Sequence, residues 1–246
     1  MTRKRVLIVL GILLYLGFVI ATLPARALLT RVLPDAVSID GIEGSIWSGS
    51  AASLVAGKFV ATNIVWDFQQ SRLFRLQAAY HLSLEIPGGF ARGIAAIGPG
   101  ALSLFDVSAA APVAELARLV APMNLKGQAS VEISETRLVD MWPEKLDAVI
   151  RLGNVFLLKP SESRLGDYRV IFDTAAATDA ALVGMVEDVD GPLDVAGRVL
   201  LLPERGYEVD LRILPEPQLQ QQFDRMLRLV PKDNDGRYQL SLSGKL

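Results

Sequence analysis

The sequence predicts a mainly β protein: a single N-terminal transmembrane helix followed by a large curved antiparallel β-sheet, open or partly closed, with two short covering helices. Three observations carry that prediction. Residues Val6 to Leu23 contain no charged side chain, and a helix of that length spans about 27 Å, close to the thickness of a bilayer core. From Asp40 onward, apolar and polar side chains repeatedly alternate with the period of two that marks a half-buried strand. The breaks between most of these runs are turns, too short for the crossovers that parallel strands require.

Arg3, Lys4 and Arg5 precede the apolar run, and only Arg26 and Arg31 follow it closely. The positive-inside rule therefore places the N-terminus in the cytoplasm and the remainder outside it. This divides the chain into a cytoplasmic stub (1–5), a transmembrane signal anchor (6–23), a membrane-exit linker (24–39) and a periplasmic β-rich domain (40–246). Ala25-Arg26-Ala27 has the small-residue alternation of a signal-peptide cleavage site. The apolar run nevertheless exceeds the usual signal core of about 7 to 15 residues, and Pro24 and Arg26 sit awkwardly for cleavage, which favours an uncleaved anchor. Between Pro24 and Pro34, Leu28, Leu29, Val32 and Leu33 suit a short helix at the membrane exit, with Arg26 and Arg31 reaching headgroups.

Composition narrows the function classes. The 246 residues are 51% hydrophobic, with a mean hydropathy of +0.34, a net charge of −2 and a pI near 5.6. A nucleic-acid partner, which requires a clustered basic face, does not fit that balance. The absence of cysteine removes disulfides, zinc-thiolate sites and thiol nucleophiles.

The β-region opens on Asp40 to Leu54, where Gly44 and Gly49 bracket Trp47. Glycine there allows unusual backbone angles or a close approach of another chain, and Ile46, Ser48 and Ser50 are expected to alternate with Trp47 on a strand. Ala56-Gly57 reads as a turn into a run in which Val60, Ile64, Trp66 and Phe68 share a parity. Leu76 to Ile86 alternates strictly, with Gln77, His81, Ser83 and Glu85 on the polar side. Gly88-Gly89 and Gly98-Pro99-Gly100 are further turns, and Ala101 to Ser108 reads as a short strand. Pro112 then fits a first helical residue, with Val113, Leu116, Ala117 and Val120 on one helical face and Pro122 closing the helix.

A second strand set follows: Ala129, Val131 and Ile133 in alternation, then 147–158, 168–173 and 180–187. In the last third, Gly197, Gly206 and Gly236 each lead an alternating strand, with Glu204-Arg205-Gly206 as a hairpin loop. Pro217 to Leu229 is amphipathic, with Leu219, Phe223, Met226, Leu227 and Val230 on one face, and suits a helix covering a sheet.

Chemistry-bearing patterns are sparse. His81 is the only histidine and lies in a polar strand row with Ser83 and Glu85, without a supporting catalytic motif. Nucleophile-elbow, phosphate-loop and dinucleotide patterns are absent. Glu187-Asp188-Val189-Asp190-Gly191 and Asp233-Asn234-Asp235-Gly236 superficially suggest calcium loops, but the positions that must supply oxygen ligands are filled by Val186 and Gly197, or Pro231 and Leu242. Both are expected to be hairpin turns. Glu43, Glu85 and Glu115 have no pairing spacing. Catalytic, cofactor and metal sites are accordingly not predicted. Trp47 and Trp66 are expected to pack in the core, on one another or on neighbours, and Trp142, before Pro143, is a candidate partner contact in a loop.

Taken in order, these features resemble the type II secretion system protein N (GspN) family. The resemblance rests on the basic N-terminus and anchor, the signature Gly44-Ser45-Ile46-Trp47-Ser48-Gly49 with Ala51 and Leu54, the cysteine-free β-rich remainder, and the ending Asp233-Asn234-Asp235-Gly236-Arg237 before a strand closing at Gly244. It implies a single-pass inner-membrane protein that is an accessory, non-enzymatic component of the machine exporting folded proteins. Its implied partners are the inner-membrane platform and the secretin-contacting periplasmic subunit. Similar Trp-Ser-Gly openings occur in AsmA-type envelope proteins, which implies lipid handling in a curved groove as the alternative. A third reading, a periplasmic enzyme, would need a pocket around His81.

Overall fold

The computed structural model describes residues 2–32, 36–75, 77–120, 124–158, 162–177, 181–217, 219–220, 224 and 230–245. Helix α1 (Thr2–Ala21) is followed by α2 (Ala25–Val32), and then the chain becomes strand. Among the described residues no helix is both long and apolar enough to cross a membrane. The transmembrane expectation is therefore carried by the sequence of Val6 to Leu23 and not by the fold.

The strands run in chain order as β1 (Val37–Asp40), β2 (Glu43–Gly44), β3 (Ser48–Ala56), β4 (Phe59–Gln69), β5 (Ala78–Ile86), β6 (Gly89–Gly98) and β7 (Ala101–Pro112). After helix α3 (Val113–Val120) come β8 (Leu125–Val139), β9 (Trp142–Leu157), β10 (Ser163–Phe172), β11 (Leu182–Asp190), β12 (Leu193–Leu202), β13 (Gly206–Pro215) and β14 (Tyr238–Lys245). Among the described residues they form one 14-stranded antiparallel meander in which each strand from β3 onward pairs with the next, β1 and β2 both pair with β3, and the path does not close.

Cross-strand registers carry one row of apolar residues along the same face from strand to strand. Trp66 stands opposite Leu82, Val131 opposite Ile150, Val170 opposite Val186 and Leu211 opposite Leu240. The other face carries His81, Arg92, Glu132, Arg151, Arg198 and Asp210, together with one local apolar patch in which Ala79, Ile94 and Ala96 are buried and Phe105 packs on them. This is the two-faced pattern of an antiparallel sheet.

The molecule is thin. Its accessible surface is 15977 Å² at 26.7 kDa, against about 10,700 Å² for a compact protein of that mass. The buried clusters are correspondingly local. One joins Ala25 of α2 to Ala51, Ala61, Ile64 and Trp66; another joins Val186, Leu193, Val195 and Tyr238, with Leu219 and Val230 packed on it. Helix α3 packs on β7 and β8.

Several expectations are corrected. Val60 is exposed while Ala61 is buried. Asn63 at φ 49° lies in a bulge between Thr62 and Val65, and the extra residue reverses which parity points inward. The strand from Ala101 continues to Pro112, and the helix begins one residue later, at Val113. Gly197 sits in the middle of β12, opposite Leu211. Ser45, Ile46 and Trp47 form a turn instead of part of a strand. Trp142 is the first residue of β9, not a loop residue, because Asp140 and Met141, both with positive φ, close a two-residue hairpin that pairs Val139 with Trp142. The expected Pro122 stop and most of the Pro217–Leu229 helix lie outside the described residues.

Candidate functional site

The Gly44–Gly49 signature is a latch on the chain that leaves α1. Gly44 pairs with Gly49 across a turn, and Ser45 Oγ accepts hydrogen bonds from the amides of Trp47 (3.2 Å) and Ser48 (3.3 Å). The Ile46 amide donates to Leu23 O (3.0 Å), and Pro24 bridges Ser45. The next residue, Ala25, is fully buried against the Trp66 cluster. Gly49 makes this possible: a Cβ there would lie 2.4 Å from Glu43 O and 2.6 Å from Trp66 Cζ2. The indole therefore packs directly against the bare Gly49 backbone, with its Nε1 donating to Ser45 O at 3.0 Å.

Trp47, half-buried, meets the edge of Phe68 at 4.8 Å between ring centroids, and Phe68 meets Tyr80 at 5.2 Å. Each pair adds about 0.5–1.5 kcal/mol beyond burial. The two tryptophans thus serve separate contacts, Trp66 under the latch and Trp47 on the Phe68–Tyr80 row.

Trp142 lines a cleft of about 580 Å³ with Pro143, Leu182, Leu201, Pro203 and Arg205. Three hairpin ends converge there. Arg205 Nη2 donates to Asp140 O at 2.9 Å, joining the β8–β9 turn to the β12–β13 turn. In a flat sheet those turns would stand four strand spacings, about 19 Å, apart. The sheet is therefore sharply bent between β9 and β12. Leu182 and Leu201, cross-strand neighbours on the apolar face, lie inside the bend. Asp140, Glu144 and Glu204 make the lining acidic, with Glu144 paired to Arg137 at 3.3 Å and Glu204 to Lys245 at 3.4 Å. Met141, 72% exposed, sits on the adjacent turn.

Next to this end, Asp147 Oδ1 accepts from the Thr174 amide at 2.7 Å. Hydrogen bonds from the Thr174 amide and hydroxyl, and then Lys145, hold its carboxyl below the usual carboxylate range. Asp188 is displaced the other way. Desolvation, and then the charges of Asp194 and Asp190, raise its pKa, and its Oδ1 has no hydrogen-bond partner among the described residues.

His81 stands on the polar face between Asp67 on β4 and Ile94 on β6, and is exposed. Both Asp-Gly stretches are turns: Gly191 links β11 to β12, and Asp233 Oδ1 accepts from the amides of Asp235 (3.0 Å) and Arg237 (2.9 Å). Among the described residues no group of three or more His, Cys, Asp or Glu is placed to hold a metal ion.

A family model described as "Type II secretion system (T2SS), protein N" matches residues 35–241, from just before β1 into β14. The chain belongs to the type II secretion system protein N family. Its similarity to curated members extends over the whole length. It is 25% identical over 257 aligned positions to type II secretion system protein N of Aeromonas hydrophila, covering 100% of both chains. To the Vibrio cholerae serotype O1 protein of the same name it is 24% identical over 240 positions, covering 93% of both. No solved structure matches. Membership in the protein N family gives the chain a role in type II secretion, as an envelope-associated component that interacts with other subunits of that system.

Proposed function

We propose that the chain is a non-enzymatic scaffold of the type II secretion apparatus. In this reading α1 is a single-pass inner-membrane anchor with its N-terminus in the cytoplasm. The sheet lies in the periplasm and contacts the inner-membrane platform and the secretin-contacting subunit. The observation that carries the reading is the direct bonding of Leu23 and Pro24 to the Gly44–Gly49 latch, with Ala25 buried against the Trp66 cluster behind it. A domain joined to its anchor without slack is held in one orientation to the membrane, as a scaffold requires. Trp142, in its cleft at the bent end of the sheet, is the proposed contact residue, because a half-buried aromatic among apolar neighbours suits an interface anchor.

A photo-cross-linking amino acid in place of Met141, at the cleft rim, tests this in secreting cells. Capture of another secretion subunit is expected. Recovery of the protein alone from cells that secrete normally would refute the contact.

A second reading is favoured by one observation: the apolar face is continuous from β3 to β14 but covered only locally. Such a face would accept acyl chains and handle lipid. Mass spectrometry of the protein purified from membranes distinguishes the readings, since stoichiometric bound lipid belongs to this one alone.

A further inference from the structure

The two edges of the sheet are unequal. At one, β1 has four residues and β2 two, and the break between them at Gly41-Ile42 denies a partner strand any long run. At the other, β14 has eight residues, no proline, and one charge, Lys245. Short, interrupted strands are a recognised protection of sheet edges, and β14 lacks it.

Hydrogen bonding identifies which groups of β14 point outward. The Gln239 amide donates away from the sheet, to Pro231 O at 2.9 Å, and Lys232 bridges Tyr238 on that side. Direction alternates along a strand, so the amide and carbonyl groups of Ser241, Ser243 and Lys245 also point outward. Beyond Gln239 that outer edge has no pairing strand among the described residues. Leu240 and Leu242 lie on the apolar face beside Leu211 and Val209 of β13, and Leu242 is 53% exposed.

We propose that β14 pairs with β14 of a second copy of this chain, antiparallel, about a two-fold axis at Ser243. Keeping both apolar faces on one side requires residues of equal parity to stand opposite each other. An axis at Ser243 meets that condition and pairs the outward groups of Ser241, Ser243 and Lys245: Ser243 with its copy, and Ser241 with Lys245 in both directions. Leu242 then lies opposite Gly244, like charges do not face each other, and the segment at Pro231 and Lys232 stays clear. An axis at Ser241 would instead set Arg237 opposite Lys245, two cations. Pairing with the other edge would leave most of β14 unsatisfied, since β1 and β2 are too short.

The chain contains no cysteine, so Ser243→Cys in the full-length protein is a clean probe. Hydrogen-bonded opposite residues have Cα atoms about 5.5 Å apart, within disulfide range. Mild oxidation in membranes is expected to yield a disulfide-linked homodimer from Ser243→Cys, and none from Ser38→Cys on β1. Adding Ser241→Pro removes an outward donor and leaves the backbone bonds to β13 in place, losing on that side only the Ser241 Oγ donation to Asp210 Oδ1 (2.9 Å). It is expected to lower the cross-linked fraction at least fivefold relative to a Ser241→Ala control that loses the same side-chain bond, with the two thermal midpoints close to each other. Three results would overturn the proposal: Ser243→Cys remaining monomeric, cross-linking to a different polypeptide, or cross-linking equally with Ser241→Pro present.

Discussion

The sharpest stability test of the latch is Gly49→Ala. The new Cβ would sit 2.4 Å from Glu43 O and 2.6 Å from Trp66 Cζ2, and neither neighbour can yield freely: one is backbone of β2, the other a ring that is only 7% exposed. Either β2 separates from β3 or the indole lifts. Overpacking of this kind costs about 1–3 kcal/mol, and losing the Trp66 Nε1 bond to Ser45 O adds about 1 kcal/mol. The expected destabilisation is therefore about 2–4 kcal/mol, or about 1–2 M in the urea midpoint at a slope near 2 kcal/mol/M. The assay is urea unfolding of the full chain in detergent, followed by tryptophan fluorescence. Gly153→Ala, in β9, is the control: a Cβ there meets no atom within 4 Å, so its change should stay within about 0.5 kcal/mol. A Gly49→Ala midpoint equal to that of the control would refute the latch.

Other predictions follow from the same geometry. Trp47→Ala removes a half-buried ring and its edge contact with Phe68, so it should cost about 2–3 kcal/mol; cellular abundance should fall first and secretion in proportion. A stable Trp47→Ala protein that fails to secrete would make Trp47 functional instead. Asp147 and Asp188 should respond oppositely to neutralisation. The depressed pKa of Asp147 contributes stability that is present above the unfolded value near about 3.9 and is lost as pH falls through the folded pKa. Asp147→Asn should therefore lower the thermal midpoint at pH 7, and the difference from the parent should start to shrink only as pH falls below about 4 and vanish below the depressed folded pKa. The raised pKa of Asp188 makes its ionised form a cost that grows as pH rises from the unfolded value through the folded one. Asp188→Asn should raise the midpoint at pH 7 and give no gain below about pH 4.

The regular parts of the fold are legible because a period of two is a local property. From Tyr80 to Ile86 the inward and outward residues alternate as the sequence predicts, and Gly206 and Gly236 do precede strands. The failures sit at bulges. Asn63, Asp106 and the shift between Ile133 and Glu135 each change the phase, and one added residue leaves no mark in composition. The latch was half visible: its glycines and Trp47 stand out, but Trp66, which explains Gly49, lies across a register no short motif encodes. The Trp142 cleft was the least legible, because it depends on a bend accumulated over several strands and closed by Arg205 on Asp140, 65 residues away. Asp-Met is not the usual Asn-Gly hairpin signal, so Trp142 read as loop.

The central claim, that the chain serves type II secretion by holding other subunits at this cleft, is tested most directly by cells whose only copy carries Trp142→Ala. Export of the secreted proteins, abundance of the variant and its thermal midpoint should be measured together. Abundance and midpoint are expected to stay near the parent's while export falls severalfold; normal export from a normally abundant, normally folded variant would contradict the account.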